Sequence, residues 1–251
     1  MEISFVIPAF NEEHRIAGCL QSVEQELART RDPSTGLRVK AEIIVVNNAS
    51  SDRTGEIART FKGVRVVDEP KKGLVQARHA GFIASSGELV ANIDADTILP
   101  EGWLAKVLKE FRRDPKLVAL SGPYIYYDLS VLHRAMVRIF YFGGYLSYLV
   151  AHYILRSGAM LQGGNFIIRR SAMEKAGGFD TSISFYGEDT DVAKRLSKIG
   201  KVKWTFALPM YTSGRRLAGE GIVTTGTRYA LNYFWILITG RPWTDHYTDI
   251  R

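Results

Sequence analysis

The chain has 251 residues, a net charge of +7 and a sequence pI near 9.4, with 46 % hydrophobic and 24 % charged residues. That balance excludes a disordered or collagen-like chain and allows one large domain, or two small ones, with a core that needs no covalent staple. The single cysteine, Cys19, excludes an internal disulfide and a cysteine-based zinc site, and a reducing cytoplasm is the simplest compartment.

The first residues do not read as a secretory signal, because Glu2, Glu12 and Glu13 bracket an apolar run of only five residues. Ile3–Ile7 reads as a buried strand, and Asn11 is expected to cap a helix that runs to about Ala28 with Glu12 and Glu13 in its first turn. Residues 29–40, with Pro33 and Gly36, read as a surface loop. Glu42–Val46 is a second strand, Asn47–Asp52 a turn cluster and Arg53–Phe61 a helix. Val64–Val67 is a strand, Leu74–Ser85 a helix and Leu89–Ile93 a strand. Glu101–Arg113 is an amphipathic helix with Trp103, Val107 and Leu108 near one face, and Leu117–Leu120 is a further strand. Strands alternating with helices predict an α/β fold, a mostly parallel central sheet covered by helices on both faces. Ligands of such sheets bind beyond the carboxyl ends of the strands, where Pro8–Glu12, Asn47–Asp52 and Asp94–Asp96 fall together.

The second half changes character. Between Ile139 and Leu155 there is no Lys, Arg, Asp or Glu, a gap at the lower limit for crossing a bilayer and interrupted by two glycines. Drawn as a helix, residues 131–156 put Phe142, Leu146, Leu149 and Tyr153 on one face and Tyr141, Tyr145, Tyr148 and His152 on another, flanked by Arg134, Arg138 and Arg156. Tyrosines and arginines around an apolar stripe suit an amphipathic helix lying in the headgroup region of an anionic membrane; the alternative is a helix of the core or of a dimer interface. A second apolar run, Tyr229–Thr239, is too short to span and is expected to join the same surface. The charge of +7 alone fits a solvated surface or an anionic partner.

Three groups of residues point to chemistry. Asp94-Ala95-Asp96 after a strand offers two carboxylates to a hard cation and a ribose, since Mg²⁺ and Mn²⁺ favour oxygen and share sites with phosphates. Gly187-Glu188-Asp189 opens a helix carrying Val192, Leu196 and Ile199, where carboxylates serve as caps or as a base. Arg215-Arg216, past an expected strand at Trp204–Leu208, is a basic pair able to grip phosphate oxygens. No GxGxxG after a strand, Walker A loop, HExxH or GxSxG is present.

Taken in order, PAFNEE (8–13), VVNNASSDRT (45–54), KKGLVQARHAGFIASSGELVANIDAD (71–96), GGNFIIRR (163–170), GEDTD (187–191) and TSGRR (212–216) resemble the family 2 glycosyltransferases, GT-A-fold enzymes that use nucleotide-diphosphate sugars. The resemblance covers about residues 1–130 and 160–217, and implies a domain at 1–217, with 131–156 inserted and 218–251 forming a C-terminal apolar helix and tail. By position it implies that Pro8, Ala9 and Glu12 line the base and ribose, and that Asn48 and Asp52 lie where the base is read. Asn47-Asn48 departs from the Asp pair usual there, which leaves uracil somewhat ahead of guanine. Arg78 is implied as a nucleotide contact, with His79 replacing the family's Asn. Asp96 would bind Mn²⁺ or Mg²⁺ directly, and Asp94 a ribose or a metal-bound water. Gly163, Gly164 and Asn165 would meet the donor sugar and acceptor, Asp189 would be the base with Glu188 beside it, and Arg215 or Arg216 would neutralise the departing diphosphate.

The implied activity is inverting transfer from a UDP-sugar to an acceptor hydroxyl or phosphate. The apolar 131–156 segment suggests a lipid-linked acceptor, and a protein peripheral on the cytoplasmic face of a membrane. No nucleic acid partner is expected. Two rival classes remain at this level: a nucleotidyltransferase, which should carry a basic Gly-rich loop where this chain has the acidic PAFNEE, and a non-catalytic membrane-surface module.

Overall fold

A computed structural model describes residues 1–31, 39–149, 160–239 and 243–244. The chain runs β1 (Glu2–Ala9), α1 (Ile16–Arg31), β2 (Lys40–Asn47), α2 (Thr54–Thr60), β3 (Val64–Asp68), α3 (Leu74–Ala84), β4 (Leu89–Ile93), β5 (Thr97–Ile98), α4 (Trp103–Arg113), β6 (Leu117–Ser121), β7 (Tyr124–Tyr126), α5 (Val131–Leu149), β8 (Asn165–Arg169), α6 (Arg170–Lys175), α7 (Glu188–Ser197), β9 (Lys201–Trp204), β10 (Met210–Thr212), α8 (Arg215–Glu220) and α9 (Ile222–Thr239). Seven strands form the main sheet in the order β3-β2-β1-β4-β8-β6-β9, and β5-β10-β7 form a small second sheet. Within the main sheet β8 alone runs backwards, antiparallel to both β4 and β6.

The near-continuous apolar runs of β1 and β2 follow from burial on both faces. Successive side chains of a strand point to opposite faces. Phe5 and Ile7 join Leu20, Trp103, Leu108 and Phe111 in one core layer, under α1 and α4. Val6 joins Phe82, Phe166, Met173 and Leu196 in the other, under α3, α6 and α7. The expected mostly parallel α/β sheet with helices on both faces is what forms.

Two local readings change, the Asn11 cap and the Trp204–Leu208 strand, and three further details emerge. Asn11 does not cap a helix: it sits at φ 52°, its Oδ1 accepts from the Ser51 N–H at 2.9 Å, and α1 begins at Ile16 and continues to Arg31. The start of α4 is capped from a distance, with buried Glu26 accepting from the N–H groups of Gly102 (3.0 Å) and Leu104 (3.1 Å), donors that the helix cannot satisfy itself. Trp204–Leu208 is not a strand: β9 ends at Trp204, the chain turns, and β10 begins only after Pro209. NFIIR after the double glycine forms strand β8. Position 217 lies within α8, and Leu217 packs with Leu129 and Val137.

The tyrosine face of α5 is its docked face. Tyr141 and Tyr145 pack on Trp204, and the buried Tyr148 hydroxyl donates to Val202 O at 3.4 Å. The Tyr148 hydroxyl, and that of Tyr141, which donates to Gln162 Oε1 at 3.0 Å, therefore serve the domain and not a headgroup layer. Leu149, expected on the outer stripe, is half-buried. Phe142 and Leu146 are exposed, as are Leu132, Met136, Ile139 and Phe140 beside them and Leu231, Phe234, Trp235 and Ile238 on α9. His152, Tyr153 and Arg156 lie outside the described residues, as do most of the expected 29–40 loop and of the tail. No helix among the described residues is long and apolar enough to cross a membrane.

Candidate active site

Parallel strands deliver their carboxyl ends to one edge of the sheet. Ala9 stands in register with Asn47, which brings the loops after β1 and β2 together. Asp94 follows β4 directly, and because β8 is reversed its first residue, Asn165, lies in register with Ile93. Gly164 then sits at φ +76°, where a Cβ would run into the Asp94 carboxylate and the Tyr124 hydroxyl, so glycine is required. Buried Asn165 donates to the carbonyls of Gly122 (3.0 Å) and Leu208 (3.1 Å), and works as a brace for the strand ends.

Two carboxylates converge here on one guanidinium. Arg215 donates to Glu12, with Nη1 at 3.0 Å from Oε2 and a second bond from Nη2 to Oε1, and its Nη2 lies 3.1 Å from Asp96 Oδ2. Thr212 Oγ1 donates to the other Asp96 oxygen at 3.2 Å. Burial pushes the Asp96 carboxyl up to about 6; the neighbouring Asp94 and Glu12 add to the rise, and Arg215 opposes it. Arg215 thus lies among the acids in the place the sequence gives to ribose and metal. Arg216 instead pairs with Glu220 at 3.2 Å and lies over the Phe185 ring.

A second arginine ties the two ends of the site. Arg78 is not on a solvated helix face: it is 1 % exposed, donates to Asp94 Oδ1 at 3.0 Å and is ion-paired with Glu188. Its charge is therefore spent between Asp94 and the Glu188-Asp189 pair. Asp189 accepts from the N–H groups of Gly163 (3.0 Å) and Thr190 (2.8 Å). Burial raises its carboxyl above the ordinary range, while Arg78 and those N–H groups hold it down. A carboxylate so raised is a stronger base when ionised.

The polar loop after β2 is organised around itself. Asn48 Oδ1 accepts from Gly73 N–H at 2.7 Å, and its amide donates to the carbonyls of Glu69 and Lys71. That bond uses one of the two lone pairs of its carbonyl and shapes the Lys71–Gly73 loop, and Asn48 also borders the slot beside Pro8 and Ala9. Against the cost of burial, hydrogen bonds from Thr54 and from Glu13 N–H hold the Asp52 carboxyl below its usual range, so Asp52 anchors the start of α2. Pro8 and Ala9 border a narrow slot of about 20 Å³ with Phe10, Lys72 and Phe185, and Lys72 Nζ lies 4.0 Å from the Phe10 ring centre.

A cavity of about 540 Å³ unites the parts. Glu12, Asp94, Asp96, Arg215, Gly163, Glu188 and Asp189 line one end, and side chains of α5 and α9 line the other. The oxygens of Asp94 and Asp96, enclosed and in surplus of negative charge, are a donor set that suits Mn²⁺ or Mg²⁺. No group of three or more His, Cys, Asp or Glu among the described residues forms a ready metal cage, so substrate phosphates and water would complete the set. The sequence reading missed Tyr124, whose hydroxyl lies 3.0 Å from Asp94 Oδ2 and 2.5 Å from Gly163 O. Its only local signal was a tyrosine just past a strand end.

A family model described as glycosyl transferase family 2 matches residues 4–177. The chain belongs to that family. It is 29 % identical over 214 residues to a probable glycosyltransferase, YdaM, of Bacillus subtilis, covering 79 % of this chain and 47 % of that protein. It is 30 % identical over 145 residues to the dolichyl-phosphate β-glucosyltransferase ALG5D of Trichomonas vaginalis, covering 54 % of this chain and 44 % of the relative. The chain thus spans about half the length of the curated relatives it matches. The mannosyltransferase PcManGT of Pyrobaculum calidifontis, solved with GDP-Man and Mn²⁺, superposes with a TM-score of 0.70 at 18 % identity, over 92 % of this chain and 62 % of that one. The GT-A fold of this family is the fold described above.

Proposed function

We propose that the chain is an inverting glycosyltransferase that moves a sugar from a nucleoside diphosphate donor, UDP-sugars favoured, to an acceptor hydroxyl or phosphate carried on a lipid. The observation that carries this reading is the single cavity joining Asp94, Asp96 and Asp189 to the exposed apolar face of α5 and α9. Asp94 and Asp96 would hold Mn²⁺ or Mg²⁺, which when bound supplies positive charge to the diphosphate. Asp189 takes the acceptor proton, while Glu188 and Gly163 fix the position of Asp189 and the acceptor. Arg215, paired with Glu12 and Asp96, or Arg216 next to it in the chain neutralises the leaving diphosphate.

The outer stripe of α5, the apolar chains of α9 and the exposed Arg134 and Arg138 support peripheral attachment to an anionic membrane, on the cytoplasmic face. The mannosyltransferase solved with GDP-Man and Mn²⁺ supports a divalent ion and a nucleotide sugar here, and the dolichyl-phosphate relative supports a lipid acceptor. The test is release of UDP from UDP-glucose and UDP-N-acetylglucosamine, with Mn²⁺ or EDTA, with and without vesicles. Mn²⁺-dependent release is expected. Its absence with UDP- and GDP-sugars alike would return the protein to the non-catalytic class.

A further inference from the structure

The strands carry Arg215 only part of the way to its partners. β10 pairs with β7 as far as Thr212 opposite Tyr126, and the Tyr127 N–H donates to Thr212 O at 3.1 Å. Sheet pairing ends there, while the Arg215 guanidinium, further along the chain, must still meet Glu12 and Asp96. One exposed side chain takes over where the sheet stops. Asp128 accepts from the Ser213 hydroxyl through Oδ2 at 2.6 Å and from the Gly214 N–H through Oδ1 at 2.5 Å. The Ser213 oxygen in turn accepts from the Arg215 N–H at 3.3 Å. Carboxylate, hydroxyl and arginine backbone thus form one relay in which every donor has an acceptor.

The two loops touch because position 214 is glycine. A Cβ there would run into the Leu129 side chain, although the backbone φ of −88° suits any residue. Leu129 is itself fixed, packed with Val137 of α5 and Leu217 of α8. Asp128 therefore stands on a loop anchored to both helices. Exposed and outside both core layers, it contributes to the turn before Arg215 and not to the core. Ser213 and Arg215 line the 540 Å³ cavity, and Asp128 does not.

We propose that Asp128 is a positioning residue: it holds the Ser213–Gly214 turn so that the Arg215 guanidinium stands where the β-phosphate of a nucleoside diphosphate leaves. The proposal rests on the glycosyltransferase reading and singles out Arg215 from the Arg215-Arg216 pair. Arg216, joined to Glu220 at 3.2 Å and lying over Phe185, is held by other partners. Because Asp128 stays outside the cavity, it acts on the phosphate through Arg215 alone. Such an arginine is sensitive to where its backbone starts, since a planar guanidinium must match two oxygens at once. A displacement of about 1 Å in a positioned group costs on the order of 10²-fold.

The experiment measures binding of UDP and GDP, each against its monophosphate, by calorimetry with Mn²⁺ present. Asp128→Ala should weaken the preferred diphosphate roughly 10-fold, the effect of losing hydrogen bonds to a charged group. The matching monophosphate, which lacks the β-phosphate, should change less than about 2-fold, and in an Arg215→Ala background the same substitution should add less than about 2-fold, because the arginine it positions is gone. Asp128→Asn should recover most of the loss, since its carbonyl can accept from the Gly214 N–H and its amide can donate to the Ser213 oxygen. Should Asp128→Ala fail to fold, Asp128→Ser, polar at this exposed position and too short for both contacts, repeats the cycle. Wild-type diphosphate affinity in the truncated variant would overturn the proposal. So would equal losses of diphosphate and monophosphate, which mark a general brace, or an undiminished effect without Arg215. Wild-type protein that binds none of the four nucleotides would remove the nucleotide-sugar reading beneath the proposal, and the proposal with it.

Discussion

At the edge of the sheet, charge is answered inside the protein: Arg215 sits on Glu12 and Asp96, and Arg78 on Asp94 and Glu188. On α5 and α9, large apolar side chains from Leu132 to Ile238 are exposed. The first region needs rigid geometry, because buried charges are tolerable only when their partners are fixed. The second needs none, because apolar contact has no direction. Disturbance of the edge should therefore cost chemistry, and disturbance of the helices should cost location and acceptor.

The sharpest break is Asp189→Asn, which keeps the shape and removes the base. Turnover should fall ~10²–10⁴-fold with donor affinity little changed, and silence in Glu188→Gln with activity in Asp189→Asn would exchange their roles. Because burial lifts the Asp189 carboxyl, the acid limb of the wild-type rate profile should lie above the ordinary carboxylate range: as pH falls through that raised value the base takes a proton and turnover is lost.

Next is Asp96→Ala. Loss of an outer-shell partner of a metal typically costs ~10–100-fold in affinity, and loss of a direct ligand should cost at least that in Mn²⁺ affinity, read by the paramagnetic signal of free Mn²⁺. Wild-type affinity in this variant would remove the metal from Asp96.

Seen from the helices, replacing Phe142, Leu146 and Ile238 together by Ser should weaken binding to anionic vesicles about 100-fold, on ~1 kcal/mol of transferred apolar surface per residue. High salt should weaken wild-type binding only in part, since the apolar contribution survives screening. Wild-type protein that fails to sediment with such vesicles at low salt would turn the stripe into a subunit interface.

The smallest effect sharpens what rigidity means at the edge. Glu26→Ala leaves the Gly102 and Leu104 N–H groups buried without their acceptor, and should lower the stability by about 2 kcal/mol in urea unfolding. A change under ~0.5 kcal/mol would show that water caps α4 equally well.

Much of the edge was legible in the sequence because it is local: apolar runs end in polar clusters, and the strands deliver those clusters side by side. The partners within the site were not. Arg215 reaches Glu12 across 203 positions, and Glu26 caps a helix more than 70 residues on, so no window of sequence holds either pair. Asn48 and Asp52 carry the residue types of a base reader, and both also hydrogen-bond within their own loops, which no local pattern announces. The tyrosines of α5 misled for a related reason: an aromatic ring with a hydroxyl looks the same whether it faces headgroups or, like Tyr148, a backbone carbonyl.

The reversed strand β8 has a consequence for how such proteins diversify. The segment between β7 and β8, which includes α5, leaves the sheet at the edge where the acids stand and returns to that same edge, since Ser121 and Phe166 are in register. It is a module with both sockets on one side. It can be lengthened, shortened or exchanged without re-threading a strand, and whatever replaces it will still hang over the reacting centre. On the proposed function, acceptor preference and residence on a surface would change together in one graft, while the strands that carry Asp94 and Asp96 keep their geometry.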